Sequence, residues 1–342
     1  MPKSRTRIRL DPGEVTELVR AALGSGARVA SARPLAGGTF NACWKVVLEG
    51  GHSLVLKVAP PPELSLLHYE QDLLRTEVDF YARAAKAGVP VPAVVGGDFS
   101  RRVIGSDYFL MTCIPGLPLT RARRRLSREA LRGVRTELGR CVARLATVRG
   151  DYFGYSAASI GTRAATWRAA FGAILAILLR DAKRLGVALP RPAAELTALV
   201  ETCAPALDAV AAPSLVHFDL WDGNILVDVG ADPPRLTGLV DGERAFWGDP
   251  LAEFASLALF GEIDRDAAFL HGWAEAAGRP LVFDAPERQR IALAQLYLYL
   301  IMRVEPATRG SGGVMGFVIQ RLVSRSLQRT LRHLDASLGR RR

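Results

Sequence analysis

The chain has 342 residues, 49% of them hydrophobic and 23% charged, with a formal charge of +11. That apolar content can bury a core large enough to offset chain entropy, which excludes a disordered chain, and the length leaves room for two domains. The longest strongly apolar run, residues 169–179, falls well short of the roughly 20 residues needed to span a bilayer, so no membrane segment is expected. Cys43, Cys113, Cys141 and Cys203 are scattered and form no CxxC pair, which argues against a zinc site and a disulfide framework. Arg5, Arg7, Arg9, Asp11, Glu14 and Glu17 precede any apolar run, so no secretory leader is expected and the protein is read as cytoplasmic.

The positive charge is concentrated. Residues 101–150 hold twelve arginines against Asp107, Glu129 and Glu137, and residues 301–342 hold nine against Glu305 and Asp335. A nucleic-acid partner would exploit such stretches. However, Leu131, Val134, Leu138, Val142, Leu145 and Val148 form a helical apolar stripe, which leaves Arg132, Arg135, Arg140 and Arg144 on the opposite side as a solvated face. Nucleic-acid binding is therefore not expected.

In chain order, Val29–Leu35, Cys43–Leu48 and Ser53–Ala59 read as a strand meander, its first turn containing Gly37, Gly38, Thr39, Phe40 and Asn41. The period becomes helical over Tyr69–Ala87, with Leu73, Leu74, Val78, Tyr81 and Ala85 on one side, ended by Gly88 and Pro90. Val91–Val95 and Ser106–Thr112 read as two further strands. Beyond Ile114, Pro115 and Gly116 the pattern is mainly helical, over about 128–148, 163–185, 192–211, 249–261, 264–277, 286–304 and 314–338. Short strands interrupt it at Ser214–His217, Ile225–Val229 and Leu236–Val240. The expected fold class is α+β: an N-terminal antiparallel sheet with a helix over residues 1–113, and a mainly helical lobe over 114–342.

The informative stretch is 214–255. His217, Phe218 and Asp219 are followed by Asn224 five residues after the aspartate, and a hairpin returns Asp241 beside them. Three oxygen-bearing side chains then converge on one point. Magnesium-assisted phosphoryl transfer requires such a set: one carboxylate to orient the acceptor hydroxyl and two hard oxygens to hold the metal on the phosphates. No GxxxxGK[ST] sequence is present, which excludes a P-loop kinase. Glu77 projects from the apolar side of its helix, where a carboxylate is costly unless paired, and Lys57 on an apolar strand is the natural partner.

HFDLWDGN and VDGERAFWGDPLAEFA resemble the two motif segments of the aminoglycoside phosphotransferase and choline kinase family, which has a bilobal protein-kinase-like fold. The resemblance extends over nearly the whole chain. It implies that Asp219 is the catalytic base, that Asn224 and Asp241 hold Mg2+, and that Lys57, oriented by Glu77, holds the α- and β-phosphates of ATP or GTP. It further implies that Gly37, Gly38, Thr39 and Phe40 cover the phosphates, and that the hinge 110–113, including Met111 and Cys113, meets the purine edge through its backbone. His217, Asp249 and Glu253 are then structural. Two positions depart from the family pattern: Phe218 stands where glycine is usual, and Glu253 where aspartate is usual. Trp221 and Asp222 are read either as acceptor-site residues or as a packing residue and a turn former.

The acceptor implied is a small molecule bearing a hydroxyl, first an antibiotic of the aminoglycoside or nucleoside type, conferring resistance. A housekeeping kinase for a sugar, amino alcohol or related metabolite is the alternative, and a nucleotide-binding pseudokinase or basic scaffold the alternative of another class. Glu262, Asp264, Asp266 and Glu275 form an acidic group suited to a cationic acceptor, whereas the arginine-rich helices suit a neutral or anionic one.

Overall fold

The computed structural model describes residues 6–35, 40–310 and 313–339. It opens with a helix absent from the sequence expectation, α1 (Pro12–Leu23). Its start was nonetheless encoded: Asp11 and Glu14 cap each other's backbone N–H groups, and Pro12 occupies the first turn. Val15, Leu18 and Val19 on its inner face pack in one core with Trp44, Leu56 and Leu110.

Five strands, β1 (Val29–Pro34), β2 (Ala42–Leu48), β3 (Ser53–Val58), β4 (Val94–Asp98) and β5 (Tyr108–Thr112), form an antiparallel sheet in the order β1-β2-β3-β5-β4. The fourth strand begins at Val94, not Val91. Pro90 and Pro92 cannot donate to a ladder, and the strand runs instead through Gly96 and Gly97. Both must be glycine: an added Cβ would stand 2.8 Å from Ala22 O at Gly96 and 2.6 Å from Tyr108 O at Gly97. The long helix of this lobe, α2 (Leu73–Lys86), starts four residues later than its periodicity suggests. Asp72 takes a left-handed φ of 52° that ends any upstream turn, and Tyr69 and Glu70 turn away to bond the C-terminal lobe.

Helices Arg128–Leu145, Trp167–Arg184, Ala267–Ala277, Ala285–Val304 and Gly313–Ser337 dominate the second lobe. The helix expected over 192–211 is two, Ala193–Thr202 and Ala204–Asp208, because Pro205 forces a new start. The one expected over 249–261 shrinks to a tight turn and Glu253–Leu257. Leu117–Pro118 pairs with Ile225–Asp228, which pairs with Arg235–Leu239, while Phe246–Gly248 lies between Gly154–Tyr155 and Ser214–Val216. Helices Arg128–Leu145 and Ala267–Ala277 approach almost backbone to backbone at Gly139 and Gly272. A Cβ on Gly272 would lie 1.8 Å from Thr136 O. That close approach brings Arg135 against Asp266.

Candidate active site

Strand β3 carries Lys57 into the cleft, where its ammonium lies 2.6 Å from Glu77 Oε2, 2.7 Å from Asp241 Oδ1 and 2.9 Å from Glu243 Oε2. Three carboxylates thus converge on one ammonium. Burial alone would lower the lysine's pKa, but Asp241, Glu243 and Glu77 outweigh it and hold it well above its ordinary value. Burial pushes Glu77 up to about 7, against the pull of Lys57. Tyr81, one turn along α2, donates to Glu77 Oε1 at 2.6 Å and accepts the Asp241 N–H at 3.1 Å. Asp241 itself has a left-handed φ of 63°, and at the next position an added Cβ would come within 2.3 Å of the Phe80 ring, so Gly242 lets this turn seat on α2.

The loop after Ser214–Val216 is built on His217. Its Nδ1 accepts the Asp219 N–H at 3.2 Å, so Nε2 carries the proton and donates to Val240 O at 2.9 Å. Burial lowers its pKa to about 4, and the ring is a neutral brace between the loop and the Asp241 turn. Glu253 holds the same loop from behind, accepting the His217 N–H at 2.7 Å and the Phe218 N–H at 3.2 Å. Glu253→Ala strands both buried donors, and a loss of about 2–4 kcal/mol is expected in urea unfolding of the variant against wild type. A change below 0.5 kcal/mol would reject that bracing role.

The departure at Phe218 now has a cause on each side. Its φ of 63° is a conformation that favours glycine, at a cost of order 1 kcal/mol for another residue. The ring offsets that cost by burying itself between Phe246 and Tyr297, with centroids 5.0 and 5.5 Å away.

Asp219 stands at the loop's outer side, its side chain 23% exposed. Burial pushes its pKa up to about 7; Arg244, with Nε 3.9 Å from Oδ2, pulls it down, and Asp241 adds to the rise. Asn224 donates from Nδ2 to Asp219 O at 2.8 Å and to Asp219 Oδ2 at 3.3 Å. Among the described residues these bonds leave Asn224 Oδ1 and Asp241 Oδ2 uncommitted. Two hard oxygens flanking a carboxylate suit Mg2+, which takes few protein ligands and completes its octahedron with water and phosphate.

Other expectations need correction or lie elsewhere. Gly37, Gly38 and Thr39 fall outside the described residues. Phe40 is buried, with the Arg309 guanidinium 4.6 Å from its ring centroid. Met111 is buried on β5 opposite Val55. Cys113 already donates its N–H to Ser53 O at 3.1 Å, so that donor is committed within the protein. Ile114, the next residue, makes no hydrogen bond through its N–H among the described residues.

Trp221 is 40% exposed, and an added Cβ at Gly223 would lie 2.3 Å from its ring, so the glycine lets the indole lie across the loop. Asp222 is more than a turn former: Oδ2 is 2.7 Å from Arg123 Nε, and Oδ1 is 3.5 Å from Arg135 Nη1. Both line a cavity of about 390 Å³. A larger cavity of about 550 Å³, between Phe40, Asp72 and Arg184, contains none of Lys57, Asp219, Asn224 or Asp241.

Sequence reasoning missed Glu243 and Arg244. Arg244 Nη2 lies 2.6 Å from Glu305 Oε1, which also accepts from Tyr69 and pairs with Arg309. The available signal was two charges immediately before the apolar run Ala245, Phe246 and Trp247, where an ionised side chain needs a partner.

Residues 31–293 match the model of the phosphotransferase enzyme family. The chain belongs to the phosphotransferase enzyme family. It is a small-molecule phosphotransferase, and its antiparallel sheet and helical second lobe are those of the protein-kinase-like fold. A search of curated proteins returns no match. Among solved structures, a candidate fructosamine-3-kinase from Thermobifida fusca is 21% identical with a TM-score of 0.67, covering 93% of this chain and 98% of its own. APH(4)-Ia, in a ternary complex with ADP and hygromycin B, is 18% identical with a TM-score of 0.56, covering 91% and 94%. The aminoglycoside phosphotransferase APH(2'')-IIIa, with GDP and kanamycin, is 16% identical with a TM-score of 0.60, covering 93% and 97%. At these identities the likeness of this phosphotransferase to its relatives is one of fold.

Proposed function

We propose that the chain transfers the γ-phosphoryl group of ATP or GTP to a hydroxyl of a small molecule, with Mg2+ as cofactor. The observation that carries the reading is the convergence of Lys57, Asp219, Asn224 and Asp241, each held by its own partners. Asp219 orients the acceptor hydroxyl and receives its proton on the carboxylate. Lys57, steadied by Glu77, neutralises the α- and β-phosphates. Asn224 and Asp241 would hold Mg2+, which when bound neutralises charge on the β- and γ-phosphates. The hinge contacts the purine edge beside Met111 through the free N–H of Ile114. Catalysis on this reading is positioning and electrostatics, with no covalent intermediate. A nucleoside triphosphate donor favours a cytoplasmic setting.

An antibiotic acceptor, with resistance as the outcome, remains one reading. The second, a metabolite kinase, is supported by the fate of the acidic group: Glu262 pairs with Arg265, Asp264 with Arg288, Asp266 with Arg135 and Glu275 with Arg140. Complete retention of the Lys57, Asp219, Asn224 and Asp241 set counts against a pseudokinase.

Purified protein with Mg2+ and ATP or GTP, incubated with hydroxylated antibiotics and metabolites, is expected to give a product heavier by one phosphoryl group that disappears with Asp219→Asn. Absence of any product, together with absence of magnesium-dependent nucleotide binding, would sink the reading.

A further inference from the structure

Resting on the phosphotransferase reading, we infer that the acceptor is an uncharged hydroxylated ring, laid on Trp221 and hydrogen-bonded by the Arg123–Asp222 pair, and not a polycation.

Three independent features support this. The first is location. Trp221 follows Asp219 by two residues with Leu220 fully buried between them, so Asp219 and Trp221 both face the outer side of the same loop. Asp219 does not itself line the cavity, and the loop sets it two positions from the indole. An exposed aromatic face next to a cleft is the usual platform for the apolar faces of such rings, and Gly223 keeps the indole lying along the loop.

The second is charge. A site for a polyammonium compound needs carboxylates without partners. The carboxylates of this cavity are Asp222, Glu262 and Asp266. Asp222 is ion-paired to Arg123 and Asp266 to Arg135, while Glu262 meets Arg265 at 3.0 Å. Asp266 Oδ1 is further used to cap the helix Ala267–Ala277. The wall is therefore neutral pair by pair except at Glu262, whose partner Arg265 is an exposed residue outside the lining. A polycation finds one carboxylate there for its several charges.

The third is the chemistry of the pair. Arg123 and Asp222 both line the cavity and both keep part of their side chains exposed. One ligand hydroxyl can accept from the guanidinium and donate to the carboxylate. An ammonium cannot accept, and a carboxylate cannot donate.

The test measures steady-state kinetics of the full chain with Mg2+ and ATP or GTP on three acceptor sets: D-fructose, D-ribose and methyl glucoside; kanamycin and hygromycin B; and gluconate. The highest kcat/KM is expected on an uncharged member. Trp221→Ala should then raise the KM for that acceptor about tenfold, with Trp221→Phe recovering most of the loss and the KM for nucleotide staying within about twofold. Arg123→Gln, which leaves Asp222 only the longer 3.5 Å contact with Arg135, should shift the kcat/KM ratio toward kanamycin about tenfold. Preference for kanamycin, hygromycin B or gluconate overturns the inference, as does an unchanged acceptor KM in Trp221→Ala. Magnesium-dependent nucleotide hydrolysis with no transfer to any uncharged member also overturns it while leaving the phosphotransferase reading intact. Absence of magnesium-dependent nucleotide binding overturns both.

Discussion

Asp219→Ala is expected to lower kcat by about 10²-fold or more while nucleotide affinity stays near wild type, because positioned proton transfer accounts for at least that factor. Retention of turnover within a few-fold would reject Asp219 as the base. The pH profile sharpens the test. Burial pushes Asp219 up to about 7, and only the carboxylate can accept a proton, so wild-type kcat should rise through pH 7 to a plateau. The same shift means that the folded chain binds this proton more tightly than the unfolded chain. Its contribution to stability is full below about pH 4 and is lost as pH rises through 7. Asp219→Asn should therefore unfold at a higher temperature than wild type at pH 8, with a smaller difference at pH 5. An inverted order would show that the carboxylate is stabilised in the fold by its neighbours, chiefly Arg244.

Lys57→Met is expected to remove both activity and stability. The side chain is 2% exposed and is the common partner of Glu77, Asp241 and Glu243. Removing the cation leaves three facing carboxylates, and breaking a buried pair in this way costs about 3–5 kcal/mol. Denaturant titration should show the loss at pH 8 and a smaller one at pH 5, where the carboxylates can take up protons. Should stability be unchanged at pH 8, the three-carboxylate arrangement around Lys57 would have to be abandoned.

Much of the candidate set was legible because its constraints are local. The spacing of Asp219 and Asn224 belongs to one loop. Asp241 follows one hairpin later. Glu77 on the apolar side of a helix needed a cation, and the lysine buried in the neighbouring sheet was available to supply it. Helix ends were less legible, because periodicity continues through residues whose backbone has already turned. At Asp72 a positive φ stops α2 upstream of Leu73, and at Pro205 a ring breaks one expected helix into two. The commitment of the Cys113 N–H was hidden for a similar reason. Cys113 continues the ladder and donates to Ser53, a bond set by sheet register and invisible in spacing.

Charge was where composition misled most. The sequence presented an acidic group and an arginine-rich group as rivals for the acceptor, and they are the same feature. Arg135, Arg140 and Arg288 come from helices far along the chain from Asp266, Glu275 and Asp264, and each meets its partner only when the helices pack. By itself the sequence determined the fold class and the candidate residues of the cleft, because hydrophobic period and short-range spacing survive in one dimension. Tertiary structure alone decided which carboxylates remain free, which backbone donors are spent and where a tryptophan faces water, because ion pairing and burial are properties of contacts between segments.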